Sequence, residues 1–410
     1  MPEYYIPGGF HPVQIDDRLH TRYRIVNKLG YGSSSTVWLA LDEQTSKYVA
    51  IKVGTAGAGR EEEVNLSRLR TGLATCSHAT DKLSMIDVPL DSFSLDGPNG
   101  HHDCLVKAPA RCSLRDAREA SWSGLFQPDV AQSLAAQLAV AVSLVHSQGY
   151  AHGALHLGNL LLQLPFFLDN LSVEQLYDKF GAPKLDPLVR IDKKPILPGS
   201  GIPSHVVQSM WLGVKSSKVT LNEARLSLGD FGAAFRPSDK SPFEAYIHRS
   251  IIPPEAVFEP TTPPSFAADI WSLGCMIFEL LSCQSLFGGW LAPQDHITAE
   301  QVHLLGIMPP EWWNKWEQRP KWFDEFGRPL SKEGDIWRWD RIFEECIQKM
   351  RQDRGMPISS EEEKVALLEL LQWMLAWRPS ERPNAEQVLG TTWMKKWALP
   401  AFEESRKTWE

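Results

Sequence analysis

L-G-Y-G-S-S-S-T-V at 29–37 places Gly30 and Gly32 where backbone could approach a ligand with no Cβ in the way. Taken alone the stretch reads as a plain hairpin, since Ser35 stands where a G-x-G-x-x-G loop has its third glycine. Further on, V-A-I-K (49–52) ends in Lys52, whose ammonium could pair with phosphate oxygens beneath that loop. The segment R-E-E-E-V-N-L-S-R-L-R then supplies carboxylates. Glu63 is expected to pair with Lys52, because E-V-x-L puts it one step before the apolar face, and Glu62 is the second choice. L-G-D-F-G (228–232) offers Asp230 and Y-A-H-G-A-L-H-L-G-N (150–159) offers Asn159, each able to hold a magnesium ion between phosphates. In that order, these residue types describe a site for a polyphosphate and its metal.

Such residues need strands, a helix and tight loops to hold them. Y-R-I-V-N-K-L-G, T-V-W-L-A-L and Y-V-A-I-K-V alternate between polar and apolar and read as three β-strands joined by turns. The R-E-E-E-V-N-L-S-R-L-R segment is acidic early and basic late, with Val64, Leu66 and Leu69 as its apolar positions, and reads as a short helix. Strands return near 86–95 and 102–107, across the turn signal D-G-P-N-G. Beyond residue 110 the pattern turns helical. V-A-Q-S-L-A-A-Q-L-A-V-A-V-S-L-V-H-S-Q-G is a long apolar helix ending at Gly149, and A-A-D-I-W-S-L-G-C-M-I-F-E-L-L is apolar nearly all round. Ser360 and Glu363 form a capping-box pattern before another helix. A Pro-rich insertion at 163–227 contains one short helix, capped by Ser172 and Gln175 and closed by Gly181.

The 410 residues are 43% hydrophobic and 22% charged, an ordinary globular composition. A formal net charge of −8 argues against non-specific nucleic-acid binding and favours basic partners. No run approaches the ~18 consecutive apolar residues of a membrane span. The N-terminus lacks the basic region and apolar core of a secretory signal. The six cysteines show no C-x-x-C spacing and read as reduced thiols of a cytoplasmic or nuclear protein. Trp312, Trp313, Trp316, Trp322, Trp337 and Trp339 crowd a segment with Lys315, Lys321 and Arg338. Aromatic plus basic composition suits single-stranded nucleic acid, but interleaved acidic residues favour packing.

The Gly-rich loop, V-A-I-K, the glutamate-bearing helix, H-G-A-L-H-L-G-N and D-F-G are followed by P-P-E (253–255), D-I-W-S-L-G-C (269–275) and R-P-S-E-R-P (378–383). This ordered set resembles the motifs of eukaryotic protein kinases. Within that superfamily the chain most resembles the SR-protein kinases, as a diverged member of fungal type. The likeness lies in H-P-V-Q-I-D-D-R-L-H-T-R-Y-R-I-V-N-K-L-G-Y-G-S-S-S-T-V-W-L-A (11–40), in the insertion, and in H-L-L-G-I-M-P-P (303–310). It implies an α+β bilobal fold: an extension at 1–22, a small β-rich lobe at 23–110, a helical lobe at 111–400 carrying the insertion 163–227, and a tail at 401–410. It implies ATP and Mg²⁺ as cofactors and a protein substrate, with basic chains as candidates. Nucleotide would be met by Leu29, Gly30, Tyr31, Gly32, Ser33, Ser34, Ser35, Thr36, Val37, Ala50, Lys52, Ala108 and Ala110. Lys52 and Glu63 would form the ion pair, and Asn159 and Asp230 would hold metal. His156 would stand for a lysine that touches the γ-phosphate. Glu255 and Arg382 would form a buried structural pair.

Departures from the pattern matter as much. Pro293 and Gln294 precede Asp295-His296-Ile297 where the family carries acids that dock arginine-rich substrates, which weakens the case for Arg-Ser dipeptides. Lys107, at the expected hinge Lys107-Ala108-Pro109-Ala110, occupies the position that gates the adenine pocket. Its stem is expected to pack and its head to snorkel outward. Gly153 replaces the arginine that grips an activation-segment phosphate, so the segment Asp230 to Glu255 is expected to be held by packing around Phe235, Phe243, Tyr246 and Ile251. Ala154 stands where an aspartate accepts the substrate hydroxyl's proton. The same loop resembles the H-G-D-x-H-x-x-N loop of small-molecule kinases. Three readings stay open: a Ser/Thr protein kinase disarmed by one Asp-to-Ala substitution, a natural pseudokinase serving as a nucleotide-binding scaffold, and a small-molecule kinase of aminoglycoside or choline type. P-P-E, D-I-W-S-L-G-C and R-P-S-E-R-P favour the first two.

Overall fold

The alternating segments of the first hundred residues pair into one antiparallel sheet. This is seen in a computed structural model that describes residues 2–57, 61–74, 84–165, 168–190, 195–197, 199–239, 251–288, 292–332 and 336–407. The chain divides into two compact units. One comprises residues 1–71, 87–112 and 163–213, and the other comprises 72–86, 113–162 and 214–410.

In the first unit, β1 (Arg18–Leu19), β2 (Tyr23–Tyr31), β3 (Ser35–Asp42), β4 (Lys47–Gly54), β5 (Asp91–Gly97) and β6 (Gly100–Lys107) lie in the order β1-β2-β3-β4-β6-β5. The helix α1 (Glu61–Ala74) follows β4. One face of the sheet buries Tyr23, Ile25, Trp38, Ala40, Ile51 and Val53 with Val13 and Leu19. The other face buries Val26, Leu39 and Tyr48 under Leu168, Leu176, Met210 and Leu212. These last four belong to the insertion, so the expectation that it rides on the helical lobe is corrected. Its residues up to 213 complete the core of the strand-rich unit. Backbone and side-chain bonds fasten it there: Met210 N–H donates to Lys28 O at 2.7 Å, Tyr48 N–H to Asp169 Oδ1 at 2.7 Å and the Tyr177 hydroxyl to Val26 O at 2.9 Å. The short helix Val173–Phe180 carries the expected capping box, Ser172 with Gln175, and ends at Gly181 with φ +94°. Residues 1–22 are likewise part of the unit, with Phe10 and Val13 buried.

The second unit is built around α2 (Pro128–Ser147) and α3 (Phe266–Leu281). α2 reaches a mean hydropathy of 1.4, long and apolar enough by composition to cross a membrane, which the sequence reading missed; 67% of that stretch is buried inside the protein. Its apolar surface is used as core. Among its neighbours is the C-terminal helix Leu399–Arg406, which buries Phe402 and Ser405, so the expected tail is a packed element. Ser360 caps the helix Glu361–Met374 through the N–H of Glu363. The reciprocal half of that box is missing, because the Glu363 carboxylate accepts from Gln132 Nε2 at 2.7 Å instead. Trp312 and Trp316 are buried with Phe258 and Phe323, and their indole N–H groups donate to Glu259 and Asp295 at 2.8 Å each. The aromatic segment is therefore largely a core of its own.

Candidate active site

Strand alternation decides which side chains of the first unit can share a ligand face. Val37 lies opposite Lys52 and Leu39 opposite Ala50, while Ala50 lies opposite Lys107 in β6. Val37, Ala50, Lys52 and Lys107 thus project on one face. The loop ahead of β3 is closed by a Gly32 N–H bond to Ser35 O at 2.9 Å. A Cβ at Gly30 or Gly32 would meet nothing within 4 Å, so the protein's own packing does not require either glycine. Tyr31, Ser33 and Ser34 are exposed beside them, and Ala108 is exposed and Ala110 half-buried after β6. One expected nucleotide contact points elsewhere: the Thr36 hydroxyl accepts from Trp38 Nε1 at 2.9 Å. Leu29 packs against the cluster that holds Leu39, on the face shared with Val37 and Ala50. Ser35 is also buried.

Lys52 Nζ donates to Glu62 Oε2 at 2.6 Å. The expected pairing with Glu63 is corrected: the Glu63 carboxylate accepts from Ser92 Oγ at 2.6 Å. The reason is helical phase. Glu62 precedes the fully buried Leu66 and Leu69 by four and seven positions, which puts it in line with them. Val64, read as part of the apolar face, is 41% exposed. Counting it inward shifts the face by one residue.

Lys107 does not snorkel. Its side chain is 8% exposed, and Nζ lies 2.8 Å from Glu62 Oε1 and 3.0 Å from Asp87 Oδ2. Burial alone would lower its pKa, but Asp87 and Glu62 outweigh that and raise it above the ordinary lysine value. The ammonium is therefore charged. Lys107 stood out in the sequence only for its place at the adenine pocket and Asp87 did not stand out, although a lysine closing the apolar run C-L-V-K was a usable signal for a buried pair.

In the second unit the loop around Ala154 is fully organised. Asp269, buried in α3, accepts from His152 N at 2.7 Å, Gly153 N at 2.9 Å and His146 Nε2 at 2.9 Å. Burial pushes its pKa up, but these bonds and the nearby His146 hold it below the usual carboxylate range. The ring of His152 accepts from Ala154 N–H at Nδ1, 3.2 Å, and donates from Nε2 to Gly229 O, 3.0 Å. Strands Leu160–Gln163 and Leu226–Leu228 pair with Leu160 opposite Leu228, and Gly229 N–H donates to Asn159 O at 2.9 Å. That ladder is what brings Asn159 beside Asp230 across the intervening insertion. Phe231 is buried edge-on to His152, with ring centroids 4.7 Å apart, and Asp230 adopts a left-handed φ of +59°.

Asn159 Nδ2 donates to Ala154 O at 2.9 Å, which leaves Oδ1 as the atom a cation would meet. With the Asp230 carboxylate this is a hard oxygen set, the type magnesium takes. Among the described residues no group of three or more His, Cys, Asp or Glu could hold a metal ion without other ligands. Such a pair fits an ion whose remaining ligands are phosphate oxygens and water. His156 Nδ1 accepts from Gly158 N–H at 3.1 Å and from Arg115 at 3.3 Å. Both can only donate, which suits the tautomer that carries its proton on Nε2 and leaves that N–H as the group a ligand would meet. Gly153 has φ +75°, and a Cβ there would fall 2.5 Å from Ala233 O. The segment after D-F-G occupies the place of any side chain at 153, and Ala151 and Phe235 exchange backbone bonds at 2.9 and 3.0 Å. Arg236 stacks on Tyr150 at 4.6 Å. Ile251 is buried, but Phe243 and Tyr246 lie outside the described residues. The expected Glu255–Arg382 pair is present as a fork, with bonds of 2.7 and 2.6 Å.

The family model of the protein kinase domain matches residues 205–394. A serine/threonine protein kinase of Aspergillus fumigatus is 25% identical over 395 residues, spanning 94% of this chain and 88% of that protein. The serine/threonine-protein kinase SRPK of Physarum polycephalum is 28% identical over 412 residues, 96% of this chain and 90% of that one. Human SRSF protein kinase 3 is 34% identical over 149 residues, 36% of this chain and 26% of its own length. The motifs in order, a strand-rich unit and a helical one, and relatives of one kind all support a place for the chain in the protein kinase superfamily, near the SR-protein kinases.

Proposed function

We propose that this serine/threonine-kinase-type chain binds Mg²⁺·ATP and carries a phosphotransfer site that lacks only its general base. Supporting this reading is the state of the loop around Ala154. The side chains of Asp269, His152 and Asn159 hold its backbone by hydrogen bonds of 2.7 to 3.2 Å, as if a catalytic side chain were still mounted there. Bound Mg²⁺·ATP would supply the transferable phosphoryl group. Lys52, held by Glu62, would carry positive charge to the phosphates, and Asn159 Oδ1 with Asp230 would hold the metal. The Nε2–H of His156 would donate to an anionic oxygen. A methyl at 154 accepts no proton, so the substrate hydroxyl keeps its own. Losing a positioned base costs roughly 10²–10⁴-fold in rate.

The substrate is a protein hydroxyl, with a basic sequence context suggested by the kinship to SR-protein kinases and the −8 net charge. Titration calorimetry of the chain with ATP should show binding that requires magnesium, weakened by Lys52→Ala. No binding at millimolar nucleotide would overturn the reading. Ala154→Asp should raise phosphotransfer to a basic serine peptide at least about a hundredfold. A variant as inert as the parent on a wide peptide library would favour the pseudokinase scaffold. Activity on aminoalcohols or sugars alone would favour a small-molecule kinase.

A further inference from the structure

Lys52, Glu62, Lys107 and Asp87 form a continuous row of alternating charge inside the strand-rich unit. The contacts are 2.6, 2.8 and 3.0 Å, and the side chains are 22, 9, 8 and 13% exposed along the row. Two ammoniums and two carboxylates sum to zero, so the row can be buried as a neutral set. Glu62 divides its oxygens, Oε2 to Lys52 and Oε1 to Lys107. A carboxylate held by one cation can rotate or leave when that cation turns to another anion. Held at its second oxygen by an inner ammonium, it stays where it is. Asp87 in turn fixes that ammonium, and β6 fixes its backbone opposite Ala50.

We infer that Lys107 is a positioning residue: with Asp87 it clamps Glu62, and through it α1, so that Lys52 is already aimed before nucleotide arrives. This rests on the nucleotide-binding reading above, but the clamp itself is a property of one unit and can be read without nucleotide. Its consequence is a site whose readiness does not depend on α1 being driven inward by a ligand or partner.

Two measurements test it. Hydrogen exchange of the α1 amides in the nucleotide-free parent should already be protected, and Lys52→Ala should leave that protection in place because Lys107 still holds Glu62. Lys107→Met should lose it and weaken Mg²⁺·ATP binding by roughly ten- to a hundredfold, the size of a lost charge-assisted bond. Lys107→Arg should recover most of the affinity, which general packing would not explain. Should Lys107→Met fail to fold, Lys107→Met with Asp87→Asn removes the stranded carboxylate, and weakened binding is again expected. Parent-like affinity in either methionine variant overturns the inference, as does an α1 that becomes protected only when nucleotide is added. If the parent binds no Mg²⁺·ATP, the functional reading falls, while the exchange comparison still decides the clamp.

Discussion

Two neighbouring glutamates, one residue apart, receive different work because a helix turns about 100° per residue. Glu62 faces the buried ammoniums and Glu63 faces Ser92. Glu62→Gln should therefore weaken Mg²⁺·ATP binding markedly, while Glu63→Gln should leave it within about twofold, a surface-type change; calorimetry on the pair distinguishes them. Gly153 is a second residue-scale case. Its φ of +75° and the carbonyl of Ala233 2.5 Å from a Cβ both exclude a side chain. Gly153→Ala should cost about 1–3 kcal/mol, read as a lower thermal midpoint. The missing arginine at this position is thus part of how the following segment packs.

At the scale of elements, α3 organises the second unit. Arg382 bonds both oxygens of Glu255 and the carbonyls of Ala267, Ala376 and Trp377, with its guanidinium 4.9 Å from the Trp271 ring centroid. Arg382→Ala strands a buried carboxylate and should destabilise by about 3–5 kcal/mol in chemical denaturation. Asp269 sets a pH dependence. Its folded pKa lies below its unfolded value. Its stabilisation is in place above about pH 4, the ordinary aspartate value, and is lost as pH falls through the folded pKa. Thermal midpoints should drop in acid, and Asp269→Asn should be less stable at neutral pH with a flatter acid limb. The segment after D-F-G, anchored by the Ala151–Phe235 bridge and the Arg236–Tyr150 stack, leads to a regulatory expectation. Phosphatase treatment of the Ala154→Asp variant should leave its rate unchanged, whatever the state of Ser238, Ser241 and Ser250. Of these, Ser241 and Ser250 lie outside the described residues, as does Arg249.

On the scale of the whole molecule, the insertion is a structural member. Leu176 is fully buried against the sheet with Leu168, Met210 and Leu212. Leu176→Ala should cost about 2–5 kcal/mol, since the cavity opens in the core that backs β2 and β3. Removing residues 163–213 should leave Val26, Leu39 and Tyr48 without cover and yield insoluble or unfolded protein. A soluble, folded deletion would show that the second face of the sheet needs no partner.

The sequence by itself determined what local rules govern. The Glu255–Arg382 pair, a helix glutamate for Lys52 and the nearness of Asn159 to the D-F-G turn were legible because motif order and spacing reflect chemistry that tolerates few residue types. The insertion helix, with Ser172, Gln175 and Gly181 at its ends, was legible because capping is decided within four residues. What only tertiary structure decided involves partners far apart in the chain. The run T-V-W-L-A-L read as alternating, yet most of it is buried on both faces, because residues more than a hundred positions later cover the second one. Glu62 rather than Glu63 was chosen by the phase of a helix whose inward face depends on what packs against it. Lys107 was expected to reach water, and it turned inward because Asp87 and Glu62, 20 and 45 positions away, converge on it. A buried charge is stable only with its counter-charges in place, and no local pattern announces where those will come from.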